Sequence, residues 1–200
     1  MVRKILQATE PRGEAVLRKK ANKVRAFDAS LERLIEDMTD TMRAGKGVGL
    51  AAPQIGVLKR VVVVEVPLEE DKPPFLLALC NPEIVERSAE EQVGEEGCLS
   101  LAGWYGLVAR ASDVEVRYQD AAGRRRKLRA GGFLARVLQH EIDHLDGVLF
   151  TDRLVDPASL VQVTEEGEEP VPQEALLRLR RAAPDLTNGL AGARILGARE

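Results

Sequence analysis

The sequence predicts an α+β fold, on three observations. Apolar, β-branched and alternating runs cluster between Val61 and Tyr118. An apolar pattern of helical period follows them, from Phe133 to Leu145. Strand and helix patterns thus come in blocks, where repeated βαβ units would interleave them. At 200 residues, one compact domain is the default, because domains typically hold about 100–200 residues.

Taken in order, residues 11–25 mix Pro11 and Gly13 with many basic side chains. Asp28 or Ser30 then caps a helix whose apolar positions Leu31, Leu34, Ile35, Met38 and Met42 recur at helical spacing, ending near Gly45. Gly47 to Gly56 is rich in small residues and leads into Val61–Val64, a β-branched run that reads as a buried strand closed by Pro67. Glu69–Lys72 and Pro73-Pro74 make a loop. Phe75–Cys80 is a second apolar run, stopped by Asn81-Pro82, with Ile84 and Val85 as its continuation.

From Leu107 to Tyr118 apolar and polar residues alternate, which predicts one half-buried antiparallel strand returning through a turn at Asp120–Gly123 toward Leu128. Gly131-Gly132 opens a buried helix that ends at Gly147. Residues 1–155 therefore form the expected catalytic domain. Residues 156–200 read as an acidic, Pro-rich linker and tail, helical in part from Gln173 to Arg181.

With 44% hydrophobic and 30% charged residues the chain has ordinary globular composition. A net charge of -3 speaks against bulk or sequence-specific nucleic acid as the main partner. The one dense basic run, Arg124–Lys127 with Arg129, follows Asp120 and Gly123 and reads as a solvated hairpin. No 18-residue apolar stretch occurs, and Met1–Gln7 lacks the apolar core of a signal peptide. The expected setting is the cytoplasm, away from membranes. There Cys80 and Cys98 stay reduced.

His140-Glu141-Ile142-Asp143-His144 is an HExxH pattern on the predicted helix, and its imidazoles are the only two in the chain. Residues four apart on a helix lie on one face, about 6 Å apart along the axis, so both rings can grip one cation. A catalytic site needs a third protein ligand and a position open to water. Asp146, Asp152, Asp156 and Glu165 downstream are formal candidates. Cys98 is the better one, because Glu96-Gly97-Cys98-Leu99-Ser100 puts a thiol in a glycine-preceded turn outside any apolar run. Cys80 ends an apolar run and reads as a small core residue. Glu141, beside the first imidazole, is the candidate for taking the attacking water's proton and delivering one to the leaving group.

Three segments now resemble the peptide deformylase family: Gly47-Val48-Gly49-Leu50-Ala51-Ala52-Pro53-Gln54, Glu96-Gly97-Cys98-Leu99-Ser100, and Gln139-His140-Glu141-Ile142-Asp143-His144-Leu145-Asp146-Gly147. Their order and spacing match the family as well, over residues 1 to about 155. The resemblance implies small antiparallel sheets packed around the helix that carries the HExxH pattern. It implies a hydrolase that removes the formyl group from the formylmethionine of nascent polypeptides, with transient ribosome contact.

The implied ligands are Cys98, His140 and His144, around Fe(II) as the native cation or Zn(II) or another divalent metal. The resemblance assigns the oxyanion donors to the Gln54 side-chain amide and the Leu99 backbone N–H, and lays the substrate along Gly47–Gly49 like an added strand. By their positions relative to the motifs, Val48, Phe133 and Val137 line a pocket for the methionine side chain. Tyr105 stands where some members carry an arginine, and the acidic tail departs from the C-terminal helix of many bacterial members. Two rival readings use the same residues: an HExxH zinc endopeptidase with a carboxylate as third ligand, and an inactive, metal-stabilised relative that binds ribosomes.

Overall fold

A computed structural model describes residues 1–66, 74–164 and 167–179. The N-terminal part holds α1 (Pro11–Leu17), α2 (Ala29–Ala44) and the short strand β1 (Gly49–Ala51), followed by β2 (Val61–Val66) and β3 (Phe75–Arg87). Next come β4 (Glu91–Cys98), β5 (Leu101–Ala111), β6 (Asp113–Gln119) and β7 (Arg125–Gly131), then α3 (Gly132–Leu145). The C-terminal part adds β8 (Val161–Thr164), β9 (Gly167–Pro170) and α4 (Gln173–Leu179). Among the described residues the strands form two antiparallel sheets, one ordered β1-β2-β3-β6-β7 and one ordered β4-β5-β8-β9. This is the predicted α+β architecture.

α2 begins where its cap predicts: Asp28 accepts from the Ser30 and Leu31 backbone N–H groups. The Val61–Val64 run is apolar at every position because β2 is covered on both faces. Val62 and Val64 pack with Leu138, Ile142 and Leu145 of α3, while Val61 and Val63 pack with Met38 and Met42 of α2. α3 lies against the five-stranded sheet, and its chemistry-bearing turn is thereby fixed in a packed core.

The structure departs from the sequence reading in several places. The alternating stretch Leu107–Tyr118 is two strands in two sheets, β5 and β6, divided at Ser112. The inward positions Val108 and Arg110 share even numbering with Val114 and Val116, so alternation runs unbroken across the bend and hides it. Asn81-Pro82 does not stop β3. The strand continues over a bulge at which Asn81 takes φ 52°, its side chain donating to Val24 O (2.9 Å) and Gln119 Oε1 (2.8 Å).

α1 had no assignment because a seven-residue helix starting at Pro11 buries little besides Leu17. Finally, part of the stretch read as a linker extends the second sheet: β8 pairs with β5 (Tyr105↔Val161) and with β9, and Leu160 and Leu176 are buried beside Trp104 and Leu154. Those two leucines supply the apolar anchor that the acidic composition masks. The predicted loop residues Pro67 and Glu69–Pro73, the candidate ligand Glu165, and the tail from residue 180 onward lie outside the described residues.

Candidate metal centre

α3 carries His140 and His144 on its buried face, only 8% and 1% exposed, with ring centroids 5.1 Å apart. Cys98 is the last residue of β4, and the turn at Leu99–Ser100 follows it, whereas the sequence reading placed the thiol within the turn. β4 escaped that reading because Glu91, Gln92, Glu95 and Glu96 give it no apolar face. The hairpin nonetheless carries the sulfur to the helix. Cys98 Sγ lies 3.2 Å from His144 Nε2. The donor atoms of Cys98, His140 and His144 all fall within 4.8 Å of one another.

This donor set fits a divalent cation. His140 Nδ1 is 2.9 Å from Glu96 Oε2; a carboxylate only accepts, so the ring N–H points there and Nε2 is left for a metal. Burial, reinforced by the charge of His140, holds the His144 imidazole well below its ordinary range, in the neutral form a metal requires. At His140 burial acts in the same direction, yet the contacts with Cys98 and Glu96 raise its pKa well above the ordinary value. That balance marks a pocket whose negative charge favours a cation between these groups.

A web of buried charge supports the ligands. Against the desolvation that burial imposes, hydrogen bonds from His140 and Arg110 hold the Glu96 carboxyl well below the usual range. Arg110 donates to both Glu96 oxygens (3.0 and 2.9 Å) and to Asp143 (2.5 Å), Arg136 donates to Glu96 (2.8 Å), and Arg153 grips Asp143 (2.5 and 2.7 Å). These residues received no role from the sequence. A signal was present: Trp104, Gly106 and Val108 set the inward parity of β5, which puts Arg110 in the interior and demands an acidic partner.

Glu141 is 5% exposed, and burial pushes its carboxyl up to about 7. Its Oε2 has no hydrogen-bond partner among the described residues. The carboxylate lies against Gly49, where an added Cβ would stand 2.5 Å from Glu141 Oε1. Gln54 is 1% exposed and its orientation is fixed: Oε1 accepts from Ala51 N (2.8 Å), while Nε2 points to Ser100 Oγ (3.2 Å) and Cys98 Sγ (3.6 Å). Leu99 is held at the same mouth, its carbonyl accepting from Gln7 Nε2 (2.9 Å).

All of this opens into one cleft of about 530 Å³. Its lining includes Gly47, Val48, Gly49, Gln54, Cys98, Leu99, Phe133, Val137, His140 and Glu141, so the sequence candidates converge on it, with His144 just behind. Phe133 and Val48 are exposed to it, and Val137 is largely buried in its floor. Tyr105 lines the wall and packs over Gly97. The rival carboxylates go elsewhere: Asp146 pairs with Arg60 (2.7 Å), Asp152 with Arg18, and Asp156 accepts from Ala158 N (2.9 Å). Cys80 is fully buried and its thiol is pushed up to about 11 by burial, in keeping with a core role.

Known proteins resemble this chain in sequence and in fold. A peptide deformylase of Thermomicrobium roseum is 50% identical over 171 residues, covering 84% of this chain and 94% of that protein. One from Roseiflexus castenholzii is 49% identical, covering 82% and 95%. The crystal structure of the Thermotoga maritima peptide deformylase superposes with a TM-score of 0.71 at 40% identity, over 78% of this chain and 99% of that one. A Synechococcus elongatus peptide deformylase in complex with actinonin gives 0.69 at 40% identity, over 76% and 79%. The polypeptide deformylase family model matches residues 2–159, and with that extent of agreement the chain belongs to the polypeptide deformylase family.

Proposed function

We propose that this protein removes the N-formyl group from the formylmethionine at the start of newly made polypeptides and releases formate. The observation that carries the reading is the meeting of one strand-end thiol with two helix imidazoles at the floor of a peptide-sized cleft. Cys98, His140 and His144 would hold the divalent cation, which supplies an activated water at neutral pH and a Lewis-acid contact for the formyl oxygen. A thiolate with two imidazoles suits iron or zinc by ligand softness. Fe(II) is proposed as the native metal on the family resemblance.

The chain's own residues do the rest. The substrate lies along Gly47–Gly49, with its methionine side chain toward Val48, Phe133 and Val137. Glu141 takes the proton of the attacking water as oxygen bonds to the formyl carbon. Charge builds on the formyl oxygen, and the fixed Gln54 amide and the Leu99 backbone N–H donate to it. The C–N bond then breaks, and Glu141 returns the proton to the departing amine. Formate and a free α-amine are the products.

The cytoplasm and transient ribosome contact are the proposed setting. No helix among the described residues is long and apolar enough to cross a membrane. The test is formate release from a formyl-Met peptide by protein prepared without oxygen and with its metal content measured. Formate is expected in proportion to bound metal; a fully loaded protein that releases none would refute the reading.

A further inference from the structure

The Gln7 side chain meets the turn after Cys98 from 92 residues away in the sequence, and no step of the proposed reaction uses it. Its amide engages two backbone groups of that turn. Nε2 donates to Leu99 O (2.9 Å) and Oε1 accepts from Ala102 N (3.2 Å). A carbonyl only accepts and a backbone N–H only donates, so the amide has a single orientation. On one side of Gln7, Ala8 N donates to Ser100 O (2.8 Å); on the other, Leu6 N donates to Gln54 O (2.8 Å). Three consecutive residues thus anchor both the turn that bears Leu99 and the turn that bears Gln54.

Leu99 and Ser100 share one peptide plane. Its oxygen accepts from Gln7, and its N–H, that of Ser100, donates to Cys98 Sγ (3.4 Å). A rigid trans peptide holds its oxygen and its N–H on opposite sides, so whatever fixes the carbonyl also aims the N–H at the sulfur. Polarisation acts in the same sense, since a donor at the carbonyl makes the N–H of that peptide a stronger donor. Gln54 Nε2, on a residue whose backbone Leu6 holds, is a second donor to the sulfur at 3.6 Å. A thiolate that accepts such bonds passes less charge to a bound cation, which is how hydrogen bonds to a ligand sulfur tune a metal site.

Resting on the deformylase reading, we propose that Gln7 is a positioning residue of the metal centre. By holding the Leu99–Ser100 peptide it keeps an N–H on the Cys98 sulfur, and so keeps a bound cation electron-poor enough to activate water. Gln7 is not part of the cleft lining, so it acts through the turn and not on the substrate.

The test sets Gln7→Leu and Gln7→Glu beside wild type, each loaded with Co(II). Cobalt content, formate release from a formyl-Met peptide and the sulfur-to-cobalt charge-transfer absorption are measured on all three. Gln7→Glu keeps an acceptor for Ala102 N but, ionised, has no hydrogen to offer Leu99 O, so it isolates the loss of the donor. In both variants the absorption should move to longer wavelength, because a sulfur relieved of a hydrogen bond gives up an electron more readily. At equal cobalt content kcat should fall about tenfold, the low end of what losing a group that orients a metal ligand does, with KM unchanged. An absorption that stays at the wild-type wavelength in both variants overturns the proposal, whether kcat is kept or falls together with the Tm of the metal-free protein. A wild type that binds cobalt and releases no formate overturns the deformylase reading and this proposal with it.

Discussion

Glu141 holds a carboxylate where burial has raised its proton affinity and where only glycine at position 49 leaves it room. A group so placed is useful for moving protons and costly for stability, the usual signature of a working acid or base. Glu141→Ala should keep its metal and lose deformylation by about 10² to 10⁴, the range expected for a general base; near-normal turnover of the metal-replete variant would remove Glu141 from the reaction. Gln54→Leu should lower kcat by about 10² to 10³, read by steady-state formate release. The burial of Gln54 was not legible in the sequence, where a polar side chain in a small-residue stretch reads as solvated. Its carbonyl is satisfied by Ala51 N of the same turn, which is what lets the amide group face the thiol.

Among the elements, α3 was the most legible and β4 the least. α3 has a periodic apolar face and glycines at both ends, so local pattern and tertiary role agree. β4 is a polar edge strand whose inward groups are Gly94, Glu96 and Cys98, and no apolar alternation marks it. What holds it in register is β5 on one side and the Glu96–Arg110–Asp143 chain of charge on the other, which ties the strand to the helix. Arg110→Ala should destabilise the fold by about 3–5 kcal/mol, because it leaves buried carboxylates without their cation. Denaturant unfolding of the metal-free variant against metal-free wild type measures this, and a difference below about 1 kcal/mol would show the pair to be dispensable.

For the molecule as a whole, the centre joins the four-stranded sheet to the helix packed on the five-stranded one, so a bound cation would act as a cross-link between them. Stripping the metal with a chelator should abolish turnover and lower Tm, and re-adding a divalent cation should restore both; at about a thousandfold excess over Kd the stabilisation is about 4 kcal/mol. An unchanged Tm on stripping would place the metal outside the folded core. The sequence by itself determined the α+β class, the helix that carries the HExxH pattern, the cap of α2 and the three motifs, because each is written in residues within one turn or a few strand positions of one another. Only the tertiary structure decided the rest: that Leu107–Tyr118 bends into two sheets, that Arg110 and Arg136 brace Glu96, and that the thiol of a strand end meets imidazoles over forty residues away. Those outcomes depend on which buried charges find partners across the core, a condition set by packing in space that no local pattern records.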